Sequence, residues 1–177
     1  LRRIEWMLSA RLPEAGAALE PLAYGDLTEL NTERRILGAV GPRALREIVG
    51  EFLDLMGTSS AIYERNGDYA LGIFASGWCR FLDDASRRRC GTDDNREALR
   101  SGSWLCHESC WTECAKRAIE TGAPVEIECH GGLRIYGEPI RAGAEIVGAL
   151  NFGHGSPPTD PAKLGELADR YGVECAE

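Results

Sequence analysis

The stretch SAIYERNGDYALGIF, residues 60–74, decides the fold class. Two runs of β-branched, aromatic and aliphatic residues flank Asn66-Gly67. That dipeptide is the strongest short-range hairpin signal, because a two-residue type I′ turn needs positive φ at both central positions. An antiparallel hairpin is therefore predicted here. Outward from it the same signal recurs. VEIECH (125–130), the pair Gly131-Gly132 and LRIYGEPI (133–140) read as a second hairpin. EIVGALNFG (145–153) reads as a further strand after the tight Ala142-Gly143 turn.

Around these strands the period changes to that of helices. Asn31 or Thr32 can cap a short helix running to Val40, and Gly41-Pro42 interrupts it. Over residues 43–56, Leu45, Ile48, Val49, Phe52 and Met56 recur at three and four, and Gly57 stops that helix. Trp78 to Leu82 reads as a short helix or turn. The charged run DDASRRRCGTDDNREALR reads as loop with a short helix near residues 93–100, and Arg87-Arg88-Arg89 as a solvated, self-compensated surface. Residues 103–121 have helical composition and end at Gly122 and Pro124. Asp160-Pro161 opens a last helix with Leu164, Leu167, Ala168 and Tyr171 inward. Strands joined by tight turns make a mainly antiparallel sheet. The expectation is an α+β domain with helices packed on one face of that sheet, the layout of PAS- and GAF-like sensory modules.

The chain has 177 residues, enough for one domain with a core of its own. Its net charge is -8, and its isoelectric point is about 5.0. Nucleic-acid binding needs clustered positive charge, and adhesion to an anionic membrane needs the same, so neither partner is expected. No run reaches the length of a membrane span and no secretory leader is visible, which places the chain in the cytoplasm by expectation. It starts at Leu1, and Leu1, Ile4 and Leu8 fall at helical spacing. Residues 1–23 are read as a helical lead-in and linker of a longer protein, residues 24–173 as the domain, and 174–177 as a tail. Pairing of two copies through the helical lead-in is expected.

Seven cysteines are present, and Cys79, Cys90, Cys106, Cys110, Cys114 and Cys129 fall within one third of the chain. An odd count without a leader argues against a disulfide framework. Clustering points to metal binding, redox chemistry or a thiol-lined pocket. On a helix Cys106, Cys110 and Cys114 form a slanting row. Cys79, Cys106, Cys110 and Cys129 together make a candidate four-thiolate set for zinc or an iron–sulfur cluster. Cys110 with His107 or His130 makes a candidate thiol–imidazole pair, the weaker reading because no glycine-rich elbow surrounds it. Trp78, Trp104, Trp111 and Tyr136 can wall a small apolar ligand beside the cysteines.

The residues Trp78-Cys79, Cys110, Cys129-His130-Gly131-Gly132-Leu133, Pro139-Ile140 and Gly148 carry a resemblance. The chain resembles the PocR-type sensory domain over about residues 24–173. That family has an aromatic-Cys element, a Cys before a helix, a Cys-His-x-Gly-Leu turn, a Pro-Ile strand and a Gly in the next strand. The resemblance implies a PAS-like sensor in a prokaryotic signal protein, such as a histidine kinase of a two-component system. It implies a small hydrocarbon derivative, for example a diol or small alcohol, as ligand. It also implies a non-catalytic module. The candidate ligand-binding residues are then Trp78, Cys79, Trp104, His107, Cys110, Trp111, Cys129, His130 and Tyr136. The stretch between Cys79 and Cys110 is long for the family and adds Cys90 and Cys106. A Cys-ligated metal, iron–sulfur or redox sensor is the alternative.

Overall fold

A computed structural model describes residues 23–56, 58–73 and 76–174. Residues 1–22 of the expected lead-in (1–23) and Cys175 lie outside them. A short 3-10 turn, Leu27–Leu30, precedes α1 (Arg35–Val40) and α2 (Pro42–Met56). Strands β1 (Ser60–Glu64) and β2 (Tyr69–Ile73) form the first hairpin. Then come α3 (Gly77–Arg88), α4 (Asn95–Arg100) and a long helix, α5, over residues 105–121. Strands β3 (Val125–Glu128), β4 (Arg134–Ala142) and β5 (Glu145–His154) follow, and α6 (Pro161–Tyr171) closes the fold. The five strands make one antiparallel sheet in the order β2-β1-β5-β4-β3. The α+β, PAS/GAF-like expectation holds.

Both hairpins stand where the sequence places them, but the turn at Asn66-Gly67 is not type I′. Glu64 N–H bonds Asp68 O at 2.8 Å and Gly67 N–H bonds Glu64 O at 3.1 Å, so three residues close the loop. Only Gly67 in it takes positive φ, at 95°. The Cys129–Leu133 loop repeats the pattern, with Cys129 N–H on Leu133 O at 2.7 Å and Gly132 at φ 79°. This is the type I turn with a left-handed residue behind it, which tolerates ordinary residues at its first two positions.

Helices cover both faces of the sheet, not one. Ile62, Leu71 and Val147 pack under α1 and α2 through Ile36, Leu37, Leu45, Val49 and Leu53. Ala61, Tyr63 and Ala149 face the other way, against Trp104 and Ala115. All five residues of β1 are buried, as in a strand covered on both sides. Glu64 is buried between these layers. Its carboxylate accepts the N–H groups of Ile36 at 2.8 Å and Leu37 at 3.0 Å, and the Asn31 amide at 3.1 Å. An anion thus caps the start of α1, whose first N–H groups lack partners within the helix.

The charged run after Trp78 is helix, not mainly loop. Ser76 caps α3 by accepting the Cys79 N–H at 3.1 Å. Asp83 and Arg87, one turn apart, turn inward. Arg87 bonds Thr92 O and Asn95 Oδ1 and lies 5.3 Å over the Trp104 ring, so the arginine run is not wholly solvated. In α5, residues Glu108–Ala115 form a π segment between α-helical ends, with Lys116 N–H bonding Trp111 O five residues back. Such segments recur at functional sites.

Candidate functional site

A cavity of about 50 Å³ lies between the sheet and the helices of its second face. Ser60 and Ala61 line it from β1, Ser59 from just before that strand, and Ile135, Asn151, Phe152 and Gly153 from β4 and β5. Helix α3 supplies Cys79 and α5 supplies Cys106, Ser109 and Cys110. The β3–β4 loop supplies Cys129 and Leu133, and α6 supplies Tyr171. The four cysteines of the candidate thiolate set, contributed by three separate segments, therefore border one space.

Local structure fixes each of them. Cys79 stands in the first turn of α3, held there by the Ser76 cap. Trp78 Nε1–H donates to Gly131 O at 3.0 Å, which joins this turn to the Cys129 loop. Cys129 Sγ accepts the Leu133 N–H at 3.3 Å across its own loop. Cys106 Sγ lies 3.9 Å from the Tyr171 hydroxyl. Cys114, which an even α-helical row would carry to the same wall, sits instead under β4, its Sγ 3.7 Å from Val125 O. The π segment changes the angle between successive side chains, so the four-residue spacing does not bring Cys114 to the cavity.

Burial raises the pKa of all four cavity thiols, most strongly at Cys106 and Cys110. For Cys106 the neighbouring Asp83 carboxylate adds to it; for Cys79 the Ser59 and Ser76 hydroxyls partly offset it. No lysine or arginine lines the cavity. At neutral pH the wall is thus uncharged and mainly apolar, made of thiols with Ala61, Leu133, Ile135 and Phe152 and a few barely exposed hydroxyl and amide groups. Among the described residues no three His, Cys, Asp or Glu side chains form a group that could hold a metal ion. The four thiols surround a space and do not focus on a point.

The other candidate residues occupy different places. Trp104 is 1% exposed, and its Nε1–H donates to Asp83 Oδ1 at 2.8 Å. Tyr24 meets Trp104 edge-on at 4.8 Å, and the Tyr24 hydroxyl donates to Asp83 Oδ2. His107 is buried among Tyr63, Tyr69 and Trp104. The Tyr63 hydroxyl donates to that of Tyr69 at 3.1 Å, which leaves the Tyr69 proton for His107 Nδ1 at 3.0 Å. Burial lowers the His107 pKa to about 4. Trp111 packs on Tyr63 at 5.4 Å, and Tyr136 on Phe152 at 5.3 Å. His130 Nε2 pairs with Glu113 at 3.0 Å. Trp78, Trp104, His107, Trp111, His130 and Tyr136 are not in the cavity lining, and among the described residues no hydrogen bond joins either histidine ring to a cysteine thiol.

Sequence reasoning missed Ser59, Ser60, Ser109, Asn151 and Tyr171. Asn151 carried a usable signal: an amide inside the apolar strand run EIVGALNFG must find polar partners or a ligand. Its Nδ2 donates to the Cys110 carbonyl of the π segment, while its Oδ1 is buried without a partner. Ser60 Oγ donates to Asn151 O at 2.6 Å, and Ser109 Oγ accepts the His130 N–H at 2.9 Å.

Comparison with known families now adds to this geometry. The family model described as the sensory domain found in PocR matches residues 40–177. The chain belongs to the PocR family of sensory domains. The match takes in α2 to α6 and every cysteine of the cavity wall. The PocR assignment makes this a sensory domain of the kind used in signal transduction. No curated protein and no solved structure matches the chain. Among the described residues no helix is long and apolar enough to cross a membrane.

Proposed function

We propose that this PocR domain is the cytoplasmic input module of a signal-transduction protein of the histidine-kinase type, and that it binds a small uncharged molecule in the cysteine-walled cavity. The cavity carries this reading. A water molecule needs roughly 10–15 Å³ measured in this way, so about 50 Å³ corresponds to roughly three to five non-hydrogen atoms. That size suits a small alcohol, a diol or a carbonyl compound. An uncharged lining suits a ligand without charge, since an unpaired ion would be costly there.

A ligand changes output only by binding two packings of the domain unequally. Helix α3 offers the connection. Its first turn presents Cys79 to the cavity, and Asp83, one turn on, holds Tyr24, just after the expected lead-in. Paired lead-in helices of two copies would carry the shift onward. The test is a thermal-shift screen of the chain with small alcohols, diols, ketones and aldehydes, repeated with Cys110→Phe to fill the cavity. Stabilisation by at least one probe, lost in a folded Cys110→Phe variant, supports the reading. No stabilisation by any probe of this size overturns it.

Convergence of four cysteines favours a second reading, a thiolate-ligated iron–sulfur cluster. Thiols placed around a space suit a cluster held at its corners better than a single zinc ion. The backbone N–H on Cys129 Sγ suits a thiolate as well. Purification without air, with iron, zinc and acid-labile sulfide measured per chain, separates the two. Near-stoichiometric iron and sulfide establish the cluster and displace the small molecule. Their absence after reconstitution with iron and sulfide removes it.

A further inference from the structure

The polar groups of the cavity wall are turned on the protein itself. Ser60 Oγ donates to Asn151 O at 2.6 Å, and Ser109 Oγ accepts the His130 N–H at 2.9 Å. Ser59 Oγ accepts the Ser76 N–H at 3.3 Å, and the Gly153 carbonyl accepts the Thr58 hydroxyl. Asn151 Nδ2 donates to the Cys110 carbonyl, while Oδ1 lies by Gly137 and Cys114, neither of which lines the cavity. The Tyr171 hydroxyl has Cys106 Sγ at 3.9 Å, and Cys129 Sγ has the Leu133 N–H at 3.3 Å. What is left to meet an occupant is sulfur and carbon, from the four thiols with Ala61, Leu133 and Ile135. A thiol is only a weak donor and a weak acceptor.

We propose that the ligand this cavity takes best is a small apolar molecule, a hydrocarbon or halocarbon without hydrogen-bonding groups, held by shape and dispersion. This rests on the reading of the cavity as a small-molecule site and narrows it. A carbonyl or hydroxyl group that enters gives up its hydrogen bonds to water, and the wall returns none of like strength. A carbon or halogen atom in the same place has no such bonds to lose and gains close contacts with soft, polarisable sulfur. Molecules of one size therefore rank by polarity. The apolar one comes first, a ketone or alcohol entering with its alkyl groups foremost comes next, and a diol, with two hydroxyls to strip of water, comes last.

Isobutene and acetone test this, because they share a planar shape and differ only in a methylene group where acetone has its oxygen. Each is titrated into the ¹⁵N-labelled 177-residue chain, and the backbone amide shifts of Ala61, Cys110 and Cys129 are followed. Isobutene is expected to bind about tenfold or more tightly than acetone, the cost of burying a carbonyl without a partner. Cys110→Phe, which fills the cavity, is expected to abolish the shifts with both probes. Equal affinity for the two, or a preference for acetone, overturns the apolar class while leaving the cavity as the site. A preference for isobutene that persists in a folded Cys110→Phe chain also overturns it, because the molecule then binds elsewhere. No shift at the cavity with either probe overturns the small-molecule reading itself. The unaltered chain decides the matter even where the variant does not fold.

Discussion

The Tyr24 hydroxyl donates to the buried Asp83 carboxylate, and the contact spans a separation of 59 residues. The segment entering the domain is thereby fixed to the helix that supplies Cys79. Trp104 donates to the other carboxylate oxygen, and Asn95 Nδ2 donates to Tyr24 O at 2.8 Å. Tyr24→Phe removes one donor from a buried acceptor and leaves the ring packing in place. It is expected to destabilise the domain by about 1–3 kcal/mol. Urea unfolding followed by tryptophan fluorescence measures this, and an unchanged midpoint would rule the contact out as a fastening.

Two buried groups on this face, Asp83 and His107, oppose each other with pH. Burial raises the Asp83 pKa from 3.8 to about 6, so the folded state holds that proton more tightly than the unfolded one. Its contribution to stability is greatest below pH 4 and declines as pH rises toward 6. His107, lowered by burial from 6.5 to about 4, contributes fully above pH 6.5 and loses that contribution as pH falls toward 4. Each leg amounts to roughly 3 kcal/mol, so they nearly cancel between pH 4 and 6. Asp83→Asn is expected to lose stability steeply on acidification through this window. His107→Gln is expected to gain it. Stability profiles of both variants that parallel that of the unaltered chain would show that neither group titrates as described.

Gly148 and Gly165 make a contrasting pair. A Cβ on Gly148 would meet the Tyr63 carbonyl and Ile36 Cδ1, at the ladder where β5 crosses β1. Backbone cannot yield as a side chain can, so Gly148→Ala is expected to cost about 3 kcal/mol or more. Gly165 lies in α6 with nothing within 4 Å of the added carbon. Gly165→Ala is expected to stabilise by about 0.5–1 kcal/mol through helix propensity. Thermal melts of the two variants check both signs.

The cavity thiols are expected to react slowly. Burial keeps Cys79, Cys106, Cys110 and Cys129 protonated at pH 7, and the thiolate is the reactive form. Labelling with a charged aromatic disulfide reagent, followed residue by residue by mass spectrometry, should show these four lagging about tenfold or more behind the same thiols in urea. A single fast thiol among them would instead revive the nucleophilic reading of Cys110.

Much of the fold was legible because it is local. Asn66-Gly67 and Gly131-Gly132 mark hairpins whatever their turn type, and the capped start at Asp160 and the stop at Gly122 carry their own chemistry. The turn type was not legible, because Asn66 accepts either sign of φ and neighbouring geometry chooses. Helix α3 was hidden by its charges. Asp83 and Arg87 look like surface residues until Tyr24, Trp104, Thr92 and Asn95 supply partners for them from elsewhere in the chain. At the site, clustering in sequence singled out the cysteines that meet. The nearby aromatics and histidines misled, since Trp104 and His107 share a helix end with Cys106 but do not line the cavity.

The π segment of α5 puts the two ends of that helix one hydrogen-bond step out of phase. Regular α pairing through Glu108–Ala115 would require one end to slip by a residue, and a slip turns each of its side chains by about 100° around the axis. A slip at the leading end would move Cys106 off the wall and His107 off Tyr69 together. One at the trailing end would carry Ala118 out of the core. The helix thus has a discrete alternative coordinate, rotation by one register step, in which the sulfur wall and the tyrosine–histidine cluster change as a unit.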